Sequence, residues 1–282
     1  MSAVPRVTVI VATYNWSSVL PFSIGSVLRQ TFTDFELLVV GDGCTDDSES
    51  VVAAIGDPRV RWINLPANSG HQSAPNNEGL RQARGEIIAY LGHDDLWLPH
   101  HLQCCVRALD EQGADLAYSL VASVGPDGHL LQPNIPRAQY GSFAPPSGMT
   151  HRRLVAEAVG GWRDYRQMNV PPEVELWRRA QAAGYRFAFV PRLTVIKFPA
   201  SQRKGVYQVK PCHEQAAWLA RMEHEPDFEA RQLVDLIVQD RRPSGLSYAE
   251  IVRYFVRETL TRIRRRLTGE HTIDQIRRFK GL

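Results

Sequence analysis

Three runs, Val7 to Ala12 (VTVIVA), Phe35 to Val40 (FELLVV) and Glu86 to Leu91 (EIIAYL), constrain this chain more than any other feature. They stay apolar at successive positions, the pattern of strands buried on both faces. A sheet built from such strands needs helices above and below it, and the sequence supplies them. Ser17 or Ser18 caps a helix running to about Gln30. Thr45-Asp46-Asp47-Ser48 offers capping oxygens to a second helix ending near Ile55. Val60 to Leu65 alternates like a strand nearer the edge, Ala74 to Ala83 and Pro99 to Gln112 read as helices, and Asp115 to Ser123 as a further strand. Alternation of this kind predicts an α/β fold with a Rossmann-type mixed, mostly parallel sheet flanked by helices.

The second half is less regular. Asp127 to Gly148 is rich in Pro, Gly and Gln and reads as a long loop or short hairpins. His151 to Val159 predicts a helix stopped at Gly160-Gly161, and Glu173 to Ala183 another, with Pro171-Pro172 ahead of it. Arg186 to Val190 and Leu193 to Lys197 predict two strands, and after Val206 the pattern is helical, broken near Pro226, at Pro243-Ser244-Gly245 and at Gly269. The expected organisation is an α/β domain over 1–205 followed by an α-helical extension over 206–282.

The composition narrows the function classes. A net charge of +3 is too small to argue for nucleic acid as a partner. The four cysteines, Cys44, Cys104, Cys105 and Cys212, include no CxxC pair, and a reduced, cytoplasmic setting is the simplest expectation. No apolar stretch reaches the roughly 18 residues that a membrane span needs. The first strand is followed by neither a GxGxxG nor a Gly-rich loop with paired Arg and Lys. A dinucleotide oxidoreductase and a nucleotidyltransferase are disfavoured on that ground.

Ligands of open α/β sheets bind beyond the carboxyl ends of the strands. Asp42 and the pair Asp94-Asp95 fall there, and Glu173 opens a helix after a Pro-Pro turn. An acid in such a place is by itself an ordinary cap. Joint placement is what points to a site. Asp42 suits a base or sugar hydroxyl. Paired carboxylates at a tight strand end suit Mn²⁺ or Mg²⁺, which prefer oxygen ligands and accept phosphate oxygens.

These segments resemble the family 2 glycosyltransferases with the GT-A fold. The likeness starts at VTVIVATYNW and continues through Leu28-Arg29-Gln30-Thr31 to Phe35-Glu36-Leu37 and Val40-Gly41-Asp42-Gly43-Cys44-Thr45-Asp46. It goes on in family order through Asn68-Ser69-Gly70, Asn77-Glu78-Gly79-Leu80, Ala83-Arg84-Gly85-Glu86 and the DxD-like Leu91-Gly92-His93-Asp94-Asp95. Val159-Gly160-Gly161-Trp162 and Pro172-Glu173-Val174-Glu175-Leu176-Trp177 resemble the acceptor-side motifs, so about residues 5–200 are covered.

The resemblance implies an inverting, metal-assisted transfer from a nucleoside diphosphate sugar, a UDP-sugar favoured, to a hydroxyl of a glycan or lipid-linked saccharide. Asp42 would bind the nucleobase, with Thr13, Tyr14 and Asn15 around it. Asp94 would contact ribose or sugar, Asp95 would ligate Mn²⁺ or Mg²⁺, and Asn77 would belong to the donor site. Glu173 would be the general base. Single displacement needs no protein nucleophile, so the lack of a Ser-His-Asp or Cys-His arrangement is no objection.

The sequence departs from the family pattern at the base position, where Glu173 after Pro172 stands for the usual Asp after Glu, and at three further positions: Gly41 and Gly92 stand where acids are usual, and Asn76 where Arg is. These three motivate a second reading, a catalytically impaired sugar-nucleotide-binding or scaffolding protein of a polysaccharide assembly system.

Other residues carry two readings each. Arg203 and Lys204, in the polar stretch Ala200 to Gly205, are expected to close over the diphosphate or to be plain solvated charges. His71, His93 and His151 are candidates for the site or for packing, and Trp97 and Trp162 for sugar stacking or core. Ser247 to Lys280 holds nine Lys/Arg against four Asp/Glu. A basic amphipathic helix there would lie on the anionic inner face of a membrane, or pack on the domain or on a second subunit of a homodimer.

Overall fold

The computed structural model of the chain describes residues 4–131, 144–240 and 272–282. The first half forms β1 (Val7–Thr13), α1 (Leu20–Leu28), β2 (Phe35–Gly41), α2 (Ser48–Ala54), β3 (Val60–Asn64), α3 (Ser73–Gln82) and β4 (Ile87–Gly92). After it come the short β5 (Leu96–Trp97), α4 (His101–Glu111) and β6 (Leu116–Ser123). The second half adds β7 (Met149–Arg152), α5 (Arg153–Val159), α6 (Pro172–Ala182) and β8 (Phe187–Lys197). Helices α7 (Val206–Val209), α8 (His213–His224), α9 (Phe228–Asp240) and α10 (Thr272–Lys280) follow.

Among the described residues the strands make one sheet in the order β3-β2-β1-β4-β7-β6-β8-β5. β1 pairs parallel with both β2 and β4, β2 with β3, and β6 with β8, while β7 and β5 run against their neighbours. The expected α/β, mixed and mostly parallel architecture is therefore present. The apolar runs divide by the two-residue period of a strand. Val7, Val9, Val11, Leu37, Val39, Ile87 and Leu91 face one helical layer with α1 and α4. Ile10, Leu38, Val40, Ile88 and Tyr90 face the other, against Trp162, Leu176 and Trp177. Each fully buried aliphatic contributes about 1.5–3 kcal/mol relative to exposure. Truncating one of them, such as Leu38→Ala, costs about 2–5 kcal/mol by also leaving a cavity.

Two elements differ from the expectation. His151 lies in a strand: β7 pairs with β4 through His151↔Ile88 and with β6 through His151↔Leu116, and the helix starts only at Arg153. Sequence periodicity does not reveal the slot between two distant strands that this tetrapeptide fills. The two strands expected over 186–197 are a single strand, β8. Its register against β6 jumps from Ser119↔Val190 to Leu120↔Leu193, so Pro191 and Arg192 bulge out where proline has no N–H to give.

The helices after residue 205 pack directly on the sheet. Trp218, Leu219, Phe228 and Leu236 share one apolar cluster with Leu96, Ala122, Leu193 and Ile196. Of the expected basic segment Ser247 to Lys280, residues 247–271 lie outside the described ones, as do the breaks expected at Pro243-Ser244-Gly245 and at Gly269. The described remainder is α10, which lies across the carboxyl ends of the strands. It is tied down by Gly205 N–H donating to the Phe279 carbonyl (2.8 Å) and by the Tyr165 hydroxyl donating to Asp274 Oδ1 (2.9 Å).

Candidate active site

A cleft of about 420 Å³ opens beyond the carboxyl ends of β1, β2, β4 and β8. Thr13 and Tyr14 from the end of β1, Asp42 from β2, Asp94 from β4, Lys197 from β8 and Glu173 from the start of α6 all line it. Parallel strands ending together bring these positions to one rim, which is why segments far apart in the chain share one cavity. α10 forms the far wall with Ile273, Ile276, Arg277 and Lys280.

The four acids do different work. Asp42 is buried, and its carboxylate organises the loop after β3: Oδ1 accepts from Ser69 N–H (2.9 Å), and Oδ2 from Asn68 Nδ2 (3.1 Å) and Gly70 N–H (3.2 Å). Asp95 is completely buried and does not reach the cleft wall. Its Oδ2 accepts from Lys197 Nζ (2.9 Å) and Ser147 Oγ (2.5 Å), and its Oδ1 from Phe198 N–H (3.0 Å). With both oxygens engaged, Asp95, the expected metal ligand, ties β4 to β8, and of the pair it is Asp94 that lines the cleft. Asp94 faces the cleft. Burial first, and then the Asp95 charge, push its carboxyl up to about 7, against the pull of Lys197 and Lys280.

Both glycine departures have a steric cause. A Cβ at Gly92 would stand 2.8 Å from Asp95 Oδ2, inside the cluster just described. A Cβ at Gly41 would collide with Asn64 Oδ1 at 2.6 Å and with the Trp62 ring at 2.7 Å. Packing of neighbours takes the room that acids would need.

Glu173 projects into the cleft at the first turn of α6, where its own backbone N–H and the helix N-terminus favour the charged form. Burial outweighs this and raises its pKa above the usual carboxylate value, which makes it a stronger proton acceptor. Gln72 Nε2 approaches its Oε2 at 3.4 Å. Burial works against the Lys197 charge, yet Asp95 and Asp94 outweigh it and hold its pKa above the usual value. Lys197 also stabilises the Glu173 carboxylate, so one ammonium links the Asp94–Asp95 side of the cleft to the α6 side.

His71 and His93 both line the cleft and are both driven down to about 4 by burial, so they are neutral at physiological pH. His93 bridges Thr13 Oγ1 (3.0 Å) and the Tyr207 hydroxyl (3.2 Å), fixing the floor of the cleft to α7.

Several expected site residues are elsewhere. Asn15 turns away from the cleft: its Oδ1 accepts from Thr45 N–H (2.7 Å) and Asp46 N–H (3.2 Å), bracing the loop after β2. Asn77 clamps α3 to Trp162, with Nδ2 donating to its carbonyl (2.7 Å) and Oδ1 accepting its N–H (2.8 Å). Arg203 is buried, paired with Glu214 (2.7 Å) and donating to the Val124 and Gly125 carbonyls, and Lys204 is exposed; neither lines the cleft. An arginine that satisfies buried carbonyls has no fork left for phosphate. His151 is a core residue against Tyr90 (3.2 Å) and Trp177, and Trp97 and Trp162 are likewise buried in packing.

Lys197, Tyr207, Arg277 and Lys280 were not singled out by sequence. Single basic or aromatic residues in unremarkable strands and helices carry no local signature; the parallel ends of β4 and β8 bring Lys197 to the acids, and the packing of α7 and α10 over those ends brings the rest.

The sequence profile of Glycosyl transferase family 2 matches residues 8–173, more than half of the chain. The chain belongs to this family. Among curated relatives, a succinoglycan biosynthesis protein, ExoO of Rhizobium meliloti, is 40% identical over 129 residues, 46% of this chain and 37% of its own. The UDP-Glc:alpha-D-GlcNAc-diphosphoundecaprenol beta-1,3-glucosyltransferase WfgD of Escherichia coli is 26% identical over 149 residues, 53% of this chain and 54% of its own. The matches thus span about half or less of these relatives' length. Among solved structures, residues 1–349 of S. aureus TarS with UDP-GlcNAc superpose with a TM-score of 0.60 at 19% identity, over 82% of this chain and 70% of that one. The mannosyltransferase PcManGT of Pyrobaculum calidifontis with GDP-Man and Mn²⁺ gives 0.56 at 17% identity, over 95% and 84%. Family, glycosyltransferase class and GT-A-like sheet agree with the expectation. Among the described residues no helix is long and apolar enough to cross a membrane.

A divalent ion would have to be held here largely by groups other than protein carboxylates. No group of three or more His, Cys, Asp or Glu among the described residues is arranged to hold a metal. Asp94 is the cleft-facing carboxylate at the strand end, and one carboxylate with the remaining positions left to diphosphate and water is how Mg²⁺ and Mn²⁺ are held beside phosphates.

Proposed function

We propose that this glycosyltransferase moves a sugar from a nucleoside diphosphate sugar to a hydroxyl on a glycan or lipid-linked saccharide, inverting the anomeric centre in one displacement. The observation that carries the reading is that Asp94 and Glu173 line the same cleft, with Lys197 influencing both. Thr13 and Tyr14 line the nucleoside end, and the Asp42-braced loop over 68–70 shapes its wall. Mn²⁺ or Mg²⁺, held by Asp94 and diphosphate oxygens, would supply neutralisation of the charge that builds on the departing nucleotide.

Glu173 takes the proton of the acceptor hydroxyl as that oxygen attacks C1 from the face opposite the diphosphate. Its raised pKa suits this exchange, because a base that is too weak does not assist the attack. Lys197 holds Asp95 fixed and so keeps the backbone of Asp94 in place. α10 and the proline-lined rim at Pro145, Pro146, Pro171 and Pro172 narrow the mouth and limit water. The likeness to ExoO, a succinoglycan biosynthesis protein, and to WfgD, a UDP-Glc-dependent glucosyltransferase acting on a diphosphoundecaprenol-linked sugar, supports polysaccharide assembly as the setting, UDP-sugars as the first donors to try and a lipid-linked saccharide as an acceptor class. A cytoplasmic enzyme held at the inner membrane face by the basic segment over 247–271 would meet such acceptors.

A thermal-shift panel of UDP, GDP, CDP and ADP with Mn²⁺, followed by nucleotide release from the matching sugar nucleotides, tests this. One base should raise the melting temperature by mass action, and its sugar nucleotide should release nucleotide in a Glu173-dependent way. Stabilisation without any release would favour a binding or scaffolding protein. No stabilisation by any nucleotide would end both readings.

A further inference from the structure

The cleft contains two cations that its own acids do not pair with. Among the described residues the Asp95 carboxylate is matched by Lys197, but neither Arg277 nor Lys280 makes an ion pair, although both line the cleft. Lys280 is half-buried and close enough to Asp94 and Glu173 to favour their charged forms, yet hydrogen-bonds to neither. The Arg277 guanidinium lies over the backbone of Gly70, whose φ is +91°. The guanidinium occupies the space a Cβ there would take, and the left-handed backbone itself favours glycine. Gly70 belongs to the loop held by Asp42, which puts Arg277 beside the wall given above to the nucleoside. Arg277 and Lys280 are three apart on α10, on the helix face that carries Ile273 and Ile276 into the cleft.

We propose that Arg277 and Lys280 bind the diphosphate of the nucleotide, so that α10 completes the donor subsite from the far side of the chain. The proposal rests on the donor reading above and adds to it the residues that meet the phosphates. Desolvated cations without carboxylate partners are held at a cost that an arriving anion offsets, and a guanidinium presents a donor fork matched to phosphate oxygens. The helix is anchored through Tyr165–Asp274 and Gly205–Phe279, and Arg277 Nη1 adds only a long contact to the same Tyr165 hydroxyl (3.4 Å).

The test titrates UDP, GDP, CDP and ADP with Mn²⁺ into the full chain and into R277Q/K280Q by calorimetry, and the matching phosphate-free nucleoside by NMR. The double variant should bind the preferred diphosphate about tenfold or more weaker while nucleoside affinity stays within about twofold, and R277K/K280R should recover most of the loss. Unchanged diphosphate affinity in R277Q/K280Q, with the wild type binding, overturns this proposal alone. Equal weakening of diphosphate and nucleoside also overturns it, by exposing a general structural effect. A wild type that binds no nucleoside diphosphate overturns the donor reading, and the proposal with it.

Discussion

Asp95→Ala is expected to damage folding, and Asp94→Ala ligand binding, although the two residues are adjacent and of one type. Asp95 is 0% exposed and accepts three hydrogen bonds, from Lys197 Nζ, Ser147 Oγ and Phe198 N–H. Removing its carboxylate strands the Lys197 ammonium, whose side chain is 27% exposed, and orphans the Phe198 N–H. Breaking a buried pair from one side costs about 3–5 kcal/mol, and because Lys197 reaches some water the lower end applies. About 3 kcal/mol should lower the urea midpoint with an unchanged m-value and move the melting temperature down by roughly 6–10 °C. The assay is paired: urea unfolding for stability, and titration of nucleoside diphosphate with Mn²⁺ into whatever fraction remains folded. D95A losing less than about 1 kcal/mol while abolishing Mn²⁺-dependent binding would refute the reasoning and return the metal to Asp95.

Four further outcomes are expected. Asp94→Asn should stabilise the protein at pH 8, because a carboxyl raised to about 7 when folded, from an ordinary value of 3.8, holds a proton the unfolded chain gives up. The penalty on the wild type therefore grows as pH rises from 4 to 7. The gain, up to about 4 kcal/mol above pH 7, should vanish near pH 4 in urea unfolding across that range. Glu173→Gln should cut nucleotide release or transfer by about 10²–10⁴-fold with donor affinity little changed, as read by steady-state kinetics beside calorimetry. Arg203→Met should cost about 3 kcal/mol in unfolding free energy, since it strands Glu214 and two carbonyls, while donor affinity of the folded protein holds. Asn77→Ala should cost about 1–3 kcal/mol through the orphaned backbone groups of Trp162, again without a change in donor affinity.

What could be read from the sequence follows from the range over which each signal acts. The strands over 7–12, 35–40 and 86–91 announce themselves because burial on both faces leaves an unbroken apolar run, and each starts or ends within a residue or two of the observed strand. That Asp42, Asp94 and Glu173 share one cleft was legible because strand ends and helix starts are recognisable from their own neighbours. Which of Asp94 and Asp95 faces the cleft was not legible. It depends on β5 pairing with β8, which brings Phe198 and Lys197 over one carboxylate and leaves the other to the cleft. Arg203 and Lys204 share a polar stretch that looked mobile, but Arg203 turns inward to carbonyls at Val124 and Gly125 that no local pattern connects to it. The part of the basic tail that can be described forms a cleft wall, and its helical period gave no hint of that because its partners are strand ends and the loop at Gly70.

The most direct trial of the central claim is a crystal structure of the protein with its preferred nucleoside diphosphate and Mn²⁺. Nucleotide density should run from Thr13 and Tyr14 toward α10, with the ion on Asp94, Asp95 still held by Lys197, and Glu173 facing the space beyond the terminal phosphate. Nucleotide bound outside this cleft, or an ion on Asp95 with Lys197 displaced, would contradict it.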